Sequence, residues 1–395
     1  MASCPVAITG LGCVCAAGSS LPECMGALFR GERHPAPPRL FSTTHAIPYP
    51  VFEVNAALEH EPGATRTCQL ALAATREALS DAGLEPGSLR ACRAGVCIGT
   101  TVGAALNNEE FYRQYRLGEN PSLAPIRRFL AANPALALAQ HLHLSGPWQT
   151  VVNACSSGTD AIGLAASWIR AGLCDVALAG GADELCRVTY NGFISLLITD
   201  ENPVRPFDRH RKGLNLGEGA AVLILESEGF RRARGAAARS FVLGYGASCD
   251  AYHLTAPHPE GRGLKRAITE ALAENRQNPA EVAFANAHGT GTPDNDRIES
   301  RVLAEILPGV PFLSTKGYTG HTLGAAGAIE AAFTAACLEA GRIPASAGFA
   351  TPDPELPAVP VTEATNVEGR VAISQSLAFG GSNAVLVLGK GEARP

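Results

Sequence analysis

The sequence predicts an α/β protein, because short apolar strands alternate with helical stretches and the same alternation occurs twice. The runs Val6-Ala7-Ile8-Thr9, Ala94-Gly95-Val96-Cys97-Ile98, Val176-Ala177-Leu178-Ala179 and Val222-Leu223-Ile224-Leu225 are continuously apolar. Ala- and Leu-rich stretches of helical character lie between them. Strands of that kind belong to sheets covered on both faces. Three pairs of segments then resemble each other in the same order, which points to an internal duplication.

In chain order, QLALAATREALSDAGLEPGSLRACRAGVCIGTTVG (69–103) resembles GLKRAITEALAENRQNPAEVAFANAHGTGT (263–292). Each reads as an amphipathic helix, a Pro-containing turn and a strand ending in Gly and Thr. NACSSGTDAIGLAASWIRAG (153–172) has its counterpart in YTGHTLGAAGAIEAAFTAACLEAG (318–341), a turn followed by a helix of small residues. GLNLGEGAAVLILESEG (213–229) matches SLAFGGSNAVLVLGKGE (376–392), a glycine turn, an apolar strand and a charged exit. The halves join near Arg231–Gly235, giving units 1–235 and 236–395. Helices rich in Ala and Gly pack closely, which places Ala154–Ser167 and Gly324–Ala336 at the centre, between two sheets. Cys155 and the Gly320-His321 turn then sit at equivalent helix starts and can converge.

Composition narrows the function. The net charge is −5 with 46% hydrophobic residues, and no basic stripe is present, which argues against a nucleic-acid partner. The N-terminal MASCPVAITGLG lacks a basic segment before its apolar residues, so no secretory signal is expected. Glu330 and two glycines, Gly324 and Gly327, interrupt the most apolar stretch, Leu323–Leu338, so a membrane span is not expected either. The twelve cysteines form no CxxC pair and suit reduced, buried thiols, with no disulfide framework and no metal site. A cytoplasmic protein is the expectation.

Three clusters carry candidate chemistry. Cys155, in VVNACSSGTD, lies where a strand gives way to a helix. There the unpaired N–H groups and the dipole favour thiolate, and a backbone N–H can face an oxyanion. Taken alone, the same residue fits a small buried cysteine equally well. His288 ends a strand before Gly289-Thr290-Gly291-Thr292, whose hydroxyls can line a channel and bind an amide-bearing ligand. No Gly-Lys-Ser/Thr follows, so this is not a phosphate loop. Ser314–Gly324 joins a rare lysine, Lys316, to His321. Lysine otherwise occurs only at Lys212, Lys265 and Lys390. In apolar surroundings Lys316 needs a partner, and Glu330 is the candidate. At a helix start His321 is expected to stay neutral. The other eight histidines, His60 among them, lie in polar or Pro-rich contexts without a metal-ligand pattern.

ACSSG, HGTGTPDND, STKGYTGHTLGAAGAIE and AFGGSNA resemble, in order and spacing, the motifs of β-ketoacyl-(acyl carrier protein) synthases of the elongating type. RPFDRHRKGLNLGEGAAVLILE (205–226) extends the resemblance over essentially the whole chain. It implies a thiolase-like fold of two duplicated halves, an α-β-α-β-α layered core and a dimer. It also implies decarboxylative condensation of an acyl group, held on Cys155, with malonyl-acyl carrier protein. In the implied roles, His288 and His321 stabilise the enolate, with Lys316 and Glu330 organising them. Thr290 and Thr292 contact the phosphopantetheine arm, and the N–H groups of Cys155 and Phe379 form an oxyanion hole gated by the Phe379 ring. Asn108 and Gly380 fall at substrate-binding positions. Arg205 would dock the carrier protein, with Arg66, Arg127 and Arg128 as further cations. No metal or redox cofactor is implied.

Cys337, set in a helix, is no second thiolase cysteine, and the presence of Cys155 argues against an inactive chain-length factor. The alternative is a pocket-shaping or weakly active subunit of a ketosynthase heterodimer. Leu377-Ala378-Phe379-Gly380 replaces the usual Phe-Gly-Phe-Gly, Asn108 stands at a normally apolar position, and the 193–205 segment is shortened. These departures point toward a polyketide or aryl-polyene type.

Overall fold

A computed structural model describes residues 4–59, 63–131 and 133–392; His60 lies outside them. The first half contributes β1 (Val6–Cys15), β2 (Ala94–Gly99), β3 (Trp148–Val151), β4 (Val176–Asp183) and β5 (Gly219–Glu226). The second contributes β6 (Ser240–Cys249), β7 (Val282–Asn286) and β8 (Phe312–Leu313). A separate ribbon of β9 (Arg342–Ile343) and β10 (Thr365–Asn366) intervenes before β11 (Val371–Leu377) and β12 (Ser382–Lys390).

The sheet order is β3-β2-β4-β5-β1-β6-β12-β11-β7-β8. In the first half β2 pairs parallel with β3 and β4, and β5 pairs antiparallel with β4 and β1. In the second, β7 pairs parallel with β8 and β11, and β12 pairs antiparallel with β11 and β6. The topology therefore repeats strand for strand. One expectation changes: the two sheets are hydrogen-bonded into one, through the short antiparallel pairing of Val6–Ile8 with Ser240–Val242.

Helix Arg66–Ala82 covers β1, β4 and β5 from outside, and helix Arg262–Glu274 covers β6 and β12. Helices Ser157–Arg170 and Ala326–Ala340 pack on each other. The first touches β2 and β4 on one side and β6 and β12 on the other; the second touches β4, β5, β11 and β12. The result is the five-layered, thiolase-like α-β-α-β-α arrangement. Leu323–Ala340 has the length and apolarity of a membrane span but is 89% buried inside the protein. Its apolar side chains serve the middle layer.

Small residues make that layer close-packed. A Cβ on Gly158 would stand 2.8 Å from Ala328 N and 2.9 Å from Gly324 O. Only glycine admits this approach, and it fixes the start of one central helix against the start of the other.

Candidate active site

The turn before helix Ser157–Arg170 is clamped by its own polar residues. Asn153 Nδ2 donates to Asp160 Oδ2 at 2.7 Å, and the Ser156 hydroxyl donates to the same oxygen at 2.8 Å. Tyr245, from β6, donates its hydroxyl to Asp160 Oδ1 at 2.7 Å. The clamp holds Ala154 in the left-handed region at φ +48, a costly conformation for a residue with a Cβ. Cys155 is thereby aimed into a cavity of about 180 Å³ lined also by Phe193, His288, Thr290, His321 and Phe379.

Both histidines arrive from the second half. The backbone N–H groups of His288 and Gly289 donate to Glu299 at 2.5 and 2.7 Å, anchoring the loop after β7. His321 N donates to Asn215 O at 2.7 Å, following Gly320 at φ +63. The rings meet edge to face at 5.2 Å, and Cys155 Sγ lies within 4.8 Å of a ring nitrogen of each.

Hydrogen bonding assigns the tautomers. Lys316 Nζ lies 3.1 Å from His288 Nδ1, and an ammonium can only donate, so Nδ1 accepts. Leu323 N donates to His321 Nδ1 at 3.1 Å. Each ring therefore carries its proton on Nε2. Burial, then the Lys316 charge, holds both imidazoles well below the usual histidine range. They are paired neutral N–H donors. Lys316 also donates to His288 O at 2.6 Å and to Glu330, whose carboxyl burial raises to about 7 against the pull of Lys316.

The thiol departs from expectation. Burial raises Cys155 to about 11, outweighing Lys316 and the Phe379 N–H, which both favour thiolate. The resting nucleophile is a protonated thiol, since at this depth desolvation exceeds the help from the helix start.

The family profile described as "Beta-ketoacyl synthase, N-terminal domain" matches residues 3–229, and "Beta-ketoacyl synthase, C-terminal domain" matches 239–350. The chain belongs to the β-ketoacyl synthase family. It is 35% identical over 408 residues to 3-oxoacyl-[acyl-carrier-protein] synthase 2 of Synechocystis sp., with 98% of each chain covered. Among solved structures, the ishigamide ketosynthase/chain length factor superposes with a TM-score of 0.93 at 34% identity, covering 98% of this chain and 100% of that one. A type II PKS acyl-carrier protein in complex with its ketosynthase bound to the hexaketide gives 0.91 at 28% identity, covering 99% and 100%.

In this β-ketoacyl synthase the remaining expected residues divide. Thr290 and Thr292 share a hydrogen bond of 2.8 Å at the cavity wall. Phe379 stacks on Phe193 at 5.5 Å. Gly380 adopts φ +84 and donates its N–H to Leu254 O, outside the cavity lining. Asn108 lines a different hollow, with Val102, Tyr112, Phe129 and Val188, and is not among the residues around the Cys155 cavity. Arg205 is half-buried, its backbone packed near Gly291 between the two threonines. Arg66 is committed to a bidentate pair with buried Glu218 and is no free docking cation.

Two buried carboxylates escaped the sequence reading. Asp183, at the end of β4, accepts from Thr100 Oγ1, Thr101 N, Val102 N and Gly324 N, tying β2 to the His321 turn. Glu299 holds the His288 loop and also accepts from Gln375 Nε2 at 2.6 Å. A readable signal was present for each: an acidic residue closing an apolar strand, and one within a helix directly after the Gly-Thr loop.

Proposed function

We propose that this chain condenses an acyl group, held on Cys155, with malonyl-acyl carrier protein to give 3-oxoacyl-acyl carrier protein. The observation that carries the reading is the convergence of two neutral Nε2–H donors on the Cys155 thiol. In the first stage Cys155 Sγ attacks the acyl thioester, and the carrier leaves as a thiol that takes the proton. The Phe379 N–H, already beside Sγ, together with the Cys155 N–H receives the oxyanion.

In the second stage the malonyl carbonyl oxygen sits between His288 and His321. The bond to the carboxylate breaks, CO2 departs and the electron pair enters the enolate. That carbon attacks the acyl-Cys155 carbonyl, and the expelled thiolate recovers a proton from solvent. Loss of CO2 drives the reaction, so the scheme uses no metal or redox cofactor. Lys316 acts through His288 by donating to Nδ1, and Glu330 neutralises it. Thr290 and Thr292 suit the amide-bearing arm of the carrier, Arg205 lies where the carrier would dock, and Phe379 would gate the cavity.

Units 1–235 and 236–395 divide this work, one bringing the nucleophile and the other the carbonyl-binding histidines. A complete set of groups around one cavity favours an active subunit over a purely pocket-shaping one. The reading places the enzyme in the cytoplasm, where its thiols stay reduced. The replaced Phe-Gly-Phe-Gly motif, at Leu377-Ala378-Phe379-Gly380 beside the cavity, supports a polyketide or aryl-polyene substrate.

The test is mass spectrometry of the acyl adduct alongside CO2 release. Cys155→Ala should take no acyl group from any carrier thioester. His288→Ala and His321→Ala should acylate but release CO2 from malonyl-carrier at least about a hundredfold more slowly, as expected for lost oxyanion donors. Unchanged CO2 release in both variants would overturn the roles.

A further inference from the structure

Outside the catalytic cavity a second convergence of reactive groups occurs. Cys13 and Cys15 stand two apart on β1, so their side chains share one face. Cys24 lies in the first turn of helix Leu21–Arg30, brought back by a tight turn in which Cys15 and Gly18 exchange backbone hydrogen bonds of 3.0 and 3.1 Å. Gly18 permits the approach, since a Cβ there would stand 2.7 Å from Cys24 N. All three residues are at most 1% exposed, and their Sγ atoms lie within 4.8 Å of one another, Cys15 and Cys24 at 3.6 Å. The fold brings Cys24 to the Cys13–Cys15 pair.

We propose that Cys13, Cys15 and Cys24 form a three-coordinate site for a soft monovalent metal ion of the copper(I) kind. Three sulfurs around an ion at about 2.3 Å stand about 4 Å apart, close to the spacing already present. Thiolate sulfur selects soft ions. A structural zinc ion would require a fourth ligand. The neighbouring carboxylate, Glu77, has both oxygens engaged, accepting from Cys13 N and Leu21 N at 2.7 Å each. Entry of one monovalent cation with loss of one S–H proton leaves the buried charge unchanged.

The test titrates copper(I) anaerobically into the full chain against a chromogenic copper(I) chelator. It is run in a Cys155→Ala background, so that the Cys155-His288-His321 group contributes no thiolate. One ion per chain should be retained, with X-ray absorption showing three sulfur neighbours. Cys24→Ser and Cys13→Ser should each weaken retention by more than about a hundredfold, beyond the loss typical of an outer-shell partner. Cys97→Ser and Cys174→Ser should retain it. Where a serine variant loses its circular dichroism spectrum, Cys24→Ala and Cys13→Ala replace it. Equal retention by folded Cys24 and Cys13 variants, a two-sulfur shell, or no retention by the parent would overturn the proposal.

Discussion

Cys155 must be shielded enough to exclude water and acidic enough to attack. Burial alone raises a thiol, and here it outweighs the two groups that pull the other way, Lys316 and the Phe379 N–H. With the thiol at about 11, thiolate at pH 7–9 is a small fraction that grows tenfold per pH unit. Alkylation of Cys155 by iodoacetamide should therefore rise about tenfold for each unit between pH 7 and pH 10 without levelling. Lys316→Met, which removes a favourable charge, should lower the rate at every pH in that range. A plateau near pH 8 in the parent protein would contradict the balance of burial over charge. The histidines obey the opposite logic. Their depressed values keep them neutral throughout this range, so the slope belongs to the thiol.

At the scale of elements, the site depends on two helix starts held in contact. Gly158 and Gly327 make the contact, and Gly327 abuts Thr159 and Ser376. Gly158→Ala would push its methyl against the backbone of Ala328 and Gly324, which side-chain rotation cannot relieve. Overpacking of this kind costs about 1–3 kcal/mol. Thermal unfolding should show that loss, and acylation of Cys155 should fall with it because the clamped turn shifts. Gly172→Ala is the control: with nothing within 4 Å it should leave acylation intact, although its φ of +69 adds strain. The duplicated order of strands and helices was legible in the sequence because continuous apolar runs and Ala/Gly-rich helices are local patterns. So were Cys155, His288, Lys316 and His321, which stand in Gly-rich turns at the ends of those elements. For Asp183 and Glu299 only the position was legible, an acid closing a strand and one after the Gly-Thr loop; the N–H groups they accept from are brought near only by the fold. The Cys13–Cys15–Cys24 convergence was hidden for the same reason, since a turn and a helix separate its members.

For the whole molecule, the two ends of the sheet are unequal. At one end is β8, two residues long, and at the other is β3, whose outer edge pairs with no strand among the described residues. Trp148 on β3 is 46% exposed, and Val152 just beyond it 66%. An open strand edge bearing large apolar side chains invites pairing with another chain. We expect this edge to be the dimer seam, joining either a second copy or a related ketosynthase-like subunit. Light scattering should give twice the chain mass for the protein alone if the dimer is homotypic. If it is heterotypic, the dimer mass should appear only on co-expression with the related subunit. The double variant Trp148→Glu, Val152→Glu should give the monomer mass in both settings while keeping its circular dichroism spectrum, since neither side chain supports the core. The strand leads directly into the Asn153–Asp160 clamp, so separating the chains should also slow Cys155 acylation. A double variant that stays dimeric would move the seam elsewhere. A monomer that acylates at the parental rate would show that the clamp holds Cys155 without help from a second chain.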